Sequence, residues 1–297
     1  MKKTIEKIFY ALIILGLFII INIDKIDTKK EYRKKEVITN NENEYFEIQF
    51  IDVGEAESIL IKNNNKYILI DAGNNKDGKK LVNYLKEQKV DKFEYVITTH
   101  AHEDHIGGMD YIINNFKINH FYIPDINIDN KTYQEVIEAL DKKNIKKETP
   151  IIDSEFRIEN TLFKILSVND NEEDLNYSCI IIKVIYYNTS FLLMSDATGD
   201  LERTLINKEI KSDVLKVSHH GSKYSTISSF LNKVKPKYAV IQVGKNNDYD
   251  LPKQIVLDKL KKVGATIYRT DIDGTIIMNS DGNNIIVKTI NTDTNQE

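Results

Sequence analysis

The sequence predicts a mixed α/β domain in which two sheets pack face to face between helices. Three observations predict it. Short β-rich runs alternate with segments of helical periodicity from residue 46 to residue 288. The alternation falls into two halves, each opening with strands and closing with strand–helix units. The side chains able to carry chemistry stand in turns directly after apolar strands.

Composition bounds the rest. The chain has 297 residues, 41 % hydrophobic and 29 % charged, with 12 Gly, 4 Pro and no Trp. That length suits one or two domains with a sizeable core. A lone cysteine, Cys179, excludes an internal disulfide and a Cys-based zinc site. Its strand-like context, 178–182, predicts a core thiol. The net charge of −4 is unevenly spread. Residues 45–207 carry 18 basic and 28 acidic side chains, whereas 208–262 carry 12 basic and 5 acidic. The domain as a whole is therefore no electrostatic sponge for nucleic acid, yet one segment is distinctly basic.

Residues 8–23 form an apolar run without a charge, preceded by Lys2, Lys3 and Lys7. Positive charge ahead of such a run retains the N-terminus in the cytoplasm and sends the rest outward. No small-x-small cleavage site follows it, so 1–23 is expected to be an uncleaved signal-anchor helix. Residues 24–44, rich in Lys, Glu, Asn and Asp, read as a solvated linker. The globular domain is expected over 45–290, with a polar tail at 291–297.

Within the domain, strands are predicted at 46–53, 58–62 and 67–71, with Asn63-Asn64-Asn65 as a hairpin tip. A helix fits 78–89, where Leu81, Val82 and Leu85 share a face, and a strand fits 94–98. Further helices are predicted at 107–116, 131–143, 199–208, 225–233 and 252–262. Further strands are predicted at 119–123, 161–167, 178–187, 190–195, 213–217, 237–243, 265–269, 274–279 and 283–288. Asp273-Gly274 and Asp281-Gly282 mark turns near the end.

Five of the 6 histidines fall in two clusters: His100, His102 and His105, then His219 and His220. His120 stands apart beside a strand and reads as structural. The first cluster is His-x-His-x-Asp-His directly after a strand. Imidazole suits borderline metals, and a carboxylate supports a second, harder site. His100 and His102 can hold one cation, and Asp104 and His105 a neighbouring one. Gly107-Gly108 then lets a helix start close by.

With these residues the chain resembles the metallo-β-lactamase superfamily, and more narrowly the extracellular metallo-β-lactamase domain of ComEC-type DNA-uptake proteins. Six blocks carry the resemblance. They are Phe50-Ile51-Asp52-Val53-Gly54, Leu69-Ile70-Asp71-Ala72-Gly73, the His motif, Leu192-Leu193-Met194-Ser195-Asp196-Ala197, the 213–222 loop with His219-His220-Gly221-Ser222, and the 268–276 hairpin. The resemblance implies an αββα sandwich with two divalent ions, Zn or Mn, at the edge between the sheets. It gives Asp196 the role of a carboxylate shared by both ions. His219 and His220 either bind metal, or bind phosphate and protonate the leaving group; Ser222 and Lys223 add phosphate contacts.

The chain departs from the pattern in three places. Relatives show Asn-x-Tyr-Gly-His-Pro where this chain reads Asn247-Asp248-Tyr249-Asp250-Leu251-Pro252. Leucine cannot ligate, so Asp250, His219 or His220 is expected to substitute, or the second site is weakened. Gly54-Glu55-Ala56-Glu57 replaces the usual Gly-Gln-Gly-Asp, and Asn176 stands where ComEC-like sequences carry Asn. A further His between the first cluster and Asp196 is absent.

The expected activity is hydrolysis of an anionic phosphodiester, DNA under this resemblance, by a metal-bound hydroxide that Asp104 orients. The basic 208–262 segment fits such a substrate, and the membrane is the partner of the N-terminal helix. Aromatics are few in that segment, so stacking platforms are not evident. The alternatives are a phosphodiesterase of cell-wall polymers and a non-catalytic binder in which Leu251 has disabled the second metal site.

Overall fold

The first strand, β1 (Phe46–Phe50), shows why two sheets pack against each other. Side chains alternate across a strand, so Phe46, Ile48 and Phe50 enter the layer between the sheets. Glu47 and Gln49 emerge on the other face, where Gln49 accepts a hydrogen bond from the Tyr84 hydroxyl and Lys62 pairs with Glu47. The computed structural model describes residues 46–170 and 173–291. The expected anchor 1–23, the linker 24–44 with Tyr45, and 292–297 of the tail lie outside the described residues. Among the described residues no helix is long and apolar enough to cross a membrane.

β1 belongs to an eight-stranded sheet whose strands run in the order β15 (Ile285–Ile290), β14 (Thr275–Ser280), β1, β2 (Ile59–Asn63), β3 (Lys66–Ile70), β4 (Lys92–Ile97), β5 (Lys117–Tyr122) and β6 (Lys147–Glu148). The second sheet has seven: β13 (Thr266–Arg269), β12 (Tyr238–Ile241), β11 (Val214–Lys216), β10 (Thr189–Leu193), β9 (Ile181–Tyr186), β8 (Thr161–Ser167) and β7 (Glu155–Ile158). β3 to β6 run parallel, as do β10 to β13. Parallel neighbours need crossovers, and helices supply them.

On the first sheet the crossovers use α1 (Gly78–Glu87), α2 (Glu103–Ile106), α3 (Met109–Asn115) and α4 (Lys131–Lys143). On the second they use α5 (Gly199–Leu205), α6 (Ser228–Val234) and α7 (Gln254–Lys262); α8 (Thr270–Asp273) is a single turn. Three apolar clusters result: helices on the first sheet, sheet on sheet, and second sheet on helices. That is the four-layer αββα order. Alternation assigns each side chain to its layer, as in β10, where Phe191 and Leu193 face the first sheet and Leu192 faces the helices.

Several expected boundaries move. The 46–53 strand stops at Phe50, because Asp52 and Gly54 close a turn through a side-chain hydrogen bond. The helix expected at 107–116 runs Met109–Asn115, and a separate turn not expected, Glu103–Ile106, precedes it inside the His motif. The strand expected at 178–187 begins at Ile181, and the helices expected at 225–233 and 252–262 begin at Ser228 and Gln254. β6 and β7 escaped prediction: one is two residues long, and the other, Glu-Phe-Arg-Ile, has only four residues at the sheet edge.

Asp71 follows β3, the 98–105 segment follows β4, Ser195 and Asp196 follow β10, and His219 and His220 follow β11. All four loops leave the carboxyl ends of parallel strands, where α/β sheets open a crevice.

Candidate metal centre

The β4 loop supplies the first half of the site. His100 is fully buried, with Nδ1 3.2 Å from Thr99 Oγ1 and 3.3 Å from Ser195 Oγ. Its Nε2 lies 3.0 Å from His102 Nδ1. Burial drives His100 well below the ordinary imidazole range, so it is a neutral donor at pH 7. Asp104 and His105 lie in the first turns of α2 rather than in a loop. A Cβ on Gly107 would come within 2.1 Å of the Asn75 nitrogen, and one on Gly108 within 2.4 Å of the Ala72 carbonyl. Only glycine lets this helix seat against the loop after β3.

His105 is aimed from behind. Its Nδ1 is 2.7 Å from Asp71 Oδ2, and buried Asp71 also accepts from Thr99 N and Thr99 Oγ1. This partner directs His105 Nε2 into the site, 3.3 Å from Asp196 Oδ1 and 3.5 Å from Asp104 Oδ2. Burial alone would lower the His105 pKa, but the Asp196, Asp104 and Asp71 carboxylates raise it well above 6.5. Glu57, on the far side of Asp71, is fixed by a buried ion pair with Lys216 of β11 that joins the two sheets.

The second half comes from the β10 and β11 ends. Asp196 is buried, which would raise its pKa, yet the His220 and His105 imidazoles hold it well below the carboxylate range. His220 donates Nδ1 toward the Gln242 carbonyl at 2.7 Å and turns Nε2 toward Asp104 Oδ2 at 3.2 Å and Asp196 Oδ1 at 3.4 Å. Burial opposes its charge, but Asp196 and Asp104 raise it above 6.5. His219 lies with Nε2 3.6 Å from Asp196 Oδ2, its Nδ1 buried without a partner; burial lowers its pKa.

The backbone here is strained. His219, His220, Ser195 and Asp71 all take φ near +50°, and none is glycine. The left-handed region costs an L-residue on the order of 1–2 kcal/mol; such strain persists where the surroundings over-determine it. Glu202 of α5 is one restraint: its buried carboxylate accepts from Ser218 Oγ at 2.7 Å, Thr226 N at 2.7 Å and Ile227 N at 2.8 Å, closing the loop around the histidine pair.

Two donor groups result: Asp104, His105, Asp196 and His220, and beside them His100, His102 and Asp196. Asp196 belongs to both. His105 Nε2 and Asp196 Oδ1 are buried with no hydrogen-bond partner among the described residues. Orphaned polar atoms are costly, and a divalent cation would satisfy both. The mixed nitrogen and oxygen donors fit Zn or Mn.

All five predicted ligands (His100, His102, Asp104, His105 and Asp196) come together. His220 joins them, an imidazole beside Asp104, His105 and Asp196 where Leu251 offers none. Asp250 does not substitute: its side chain is 98 % exposed and pairs with Lys253. Leu251 packs on the helix-side core and forms part of the cleft wall. His219, Ser222, Lys223 and Asn176 also line this cleft, of about 690 Å³. His120 is remote, stacked on Tyr95 and bonded to Glu148, and Cys179 is buried with its thiol pushed up by burial.

Sequence reasoning missed the supports Asp71, Thr99, Ser195, Glu202 and Gln242. Only Asp71 left a signal, a carboxylate ending an apolar strand as Asp196 does. Aromatics are few in the basic segment, as expected, but two of them, Tyr224 and Tyr249, stand exposed on the cleft wall.

The family model of the metallo-β-lactamase superfamily matches residues 51–245. ComE operon protein 3 of Bacillus subtilis is 29 % identical over 251 aligned positions, covering 77 % of this chain and 32 % of that one. Recombination protein 2 of Haemophilus influenzae is 27 % identical over 241 positions, covering 79 % and 29 %. The chain thus spans about a third of the length of these relatives. Among solved structures, the metallo-β-lactamase fold protein YhfI of Bacillus subtilis superposes with a TM-score of 0.56 at 13 % identity, covering 80 % of this chain and all of that one.

Proposed function

The chain belongs to the metallo-β-lactamase superfamily, and from that premise we propose that it is a two-metal phosphodiesterase acting on DNA outside the cell membrane. The observation that carries the reading is the pair of donor groups sharing Asp196 at the base of one cleft. Two divalent cations bound there would lower the pKa of a water and neutralise charge on phosphate oxygens.

The chain's own residues divide the remaining work. His100, His102, Asp104, His105, Asp196 and His220 hold the cations. Asp71 orients His105, and the Gln242 carbonyl orients His220. Both nitrogens of His220 are thereby engaged. His219 lines the cleft with its Nε2 3.6 Å from Asp196 Oδ2, a place from which an imidazole can pass a proton to the departing oxygen. Lys223 and Lys253 favour an anionic substrate. Relatives named for competence and recombination support DNA, and the basic-flanked apolar run 8–23 supports an anchored domain outside the membrane.

The test is metal content and turnover of the full chain with Mn or Zn, on bis-p-nitrophenyl phosphate and single-stranded DNA, with His102→Ala as control. The expected result is two metals per chain and cleavage of both substrates that the variant loses. A chain that binds two metals and cleaves neither substrate overturns the reading.

A further inference from the structure

Two features of the cleft take no part in the metal chemistry: its tyrosines and its unpaired lysines. Tyr224 is 71 % exposed and Tyr249 68 %, and both line the cleft that holds Asp196. Tyrosine usually buries much of its ring, so two bare rings at one site mouth stand out.

Both rings ride on pinned backbone. The Tyr224 carbonyl accepts from Gly199 N at 2.9 Å. Tyr249 lies within a loop closed by Asn247, whose Nδ2 donates to the Gly244 and Leu251 carbonyls while its Oδ1 accepts from Leu251 N. Lys223 Nζ sits over the Tyr224 ring, 5.0 Å from its centre, so a cation stands beside the exposed ring. Lys76 and Lys223 line the same cleft and make no ion pair among the described residues.

Resting on the phosphodiesterase reading, we propose that Tyr224 and Tyr249 are stacking platforms for the bases of a single-stranded nucleic acid whose phosphates Lys76 and Lys223 hold. The chemistry selects among anionic polymers. A tyrosine can stack only on a base whose face is free, and in a duplex both faces are covered. A poly(glycerol phosphate) has the charge but no ring to stack on. Unpaired bases satisfy rings and lysines together.

The test is fluorescence anisotropy on the full chain in chelator, so that nothing is cut. A labelled oligothymidylate is compared with an abasic oligomer of equal length, with duplex DNA and poly(glycerol phosphate) as competitors. The wild-type chain is expected to prefer the oligothymidylate to the abasic oligomer by roughly tenfold or more. Tyr224→Ala with Tyr249→Ala is expected to erase that preference, and the two Phe substitutions to keep it. Equal binding of the two oligomers by wild type, tighter binding of duplex or of poly(glycerol phosphate), or a preference that survives the double Ala variant would each overturn the proposal. Turnover of bis-p-nitrophenyl phosphate by wild type decides the enzymatic reading separately. Turnover without base preference removes the stacking site alone; base preference without turnover removes the enzyme alone.

Discussion

The two donor groups share one carboxylate and differ in how they treat protons. His100 is buried against Thr99 and Ser195, and burial keeps it neutral. His105 and His220 are just as buried, yet Asp104 and Asp196 raise both. One side offers bare nitrogen to an incoming cation; on the other the facing carboxylates favour the protonated imidazole, with which a cation would compete. The lesson is that burial sets no single direction for a histidine. The carboxylates facing it decide, and here they also mark where a second positive charge belongs.

The largest effect should come from the residue that both groups use. Asp196→Ala is expected to drop metal content toward none and turnover by about a thousandfold or more, because it removes a donor from each site. Metal analysis together with turnover checks it; retention of two metals would end the idea of a shared carboxylate.

Separating the histidine pair is the next test. His220→Ala is expected to leave one metal per chain, whereas His219→Ala should retain two and lose about a hundredfold in turnover, the scale of general acid–base help. Equal metal loss in both variants would move His219 among the ligands.

The proton contrast predicts a pH effect with a definite sign. His105 and His220 have raised pKa values, so the metal-free chain holds their protons to higher pH than ordinary imidazoles do. Metal binding must then release protons, and apparent affinity should fall as pH is lowered. The same shifts stabilise the metal-free fold below about pH 6.5, the unfolded histidine value, and that contribution is lost as pH rises through the raised values. Calorimetry in buffers of different ionisation enthalpy measures the release; none at pH 7 would refute the contrast.

Smaller effects should come from the periphery. Glu202→Gln keeps the shape but weakens the acceptor that closes the histidine loop, and is expected to cost about 1–3 kcal/mol in chemical denaturation. Leu251→His should change least. With His220 already placed, an added imidazole is expected to leave metal content at two; a rise from one to two would show that His220 does not complete the second group.

Most of the site was legible because metal chemistry needs specific residue types at short spacings. His100, His102, Asp104 and His105 announce themselves within six positions, and Asp196 by ending an apolar strand. The long strands were legible from alternation, as the exact 161–167 match shows. The edge strand β7 was not, since four residues with two apolar side chains are too short for alternation to stand out. Glu202 and Gln242 were illegible for another reason: their partners lie 16 to 25 and 22 to 191 residues away, and nothing local encodes such pairings.

By itself, then, the sequence determined the layer order and the residue types of the candidate donor cluster, because periodicity and residue type are local properties. Which histidine of the 219–220 pair stands against Asp104, His105 and Asp196 was decided only by the tertiary structure. Adjacent residues share composition and context; left-handed backbone, clamped by Glu202 and anchored to the Gln242 carbonyl, turns His220 inward and leaves His219 facing the cleft.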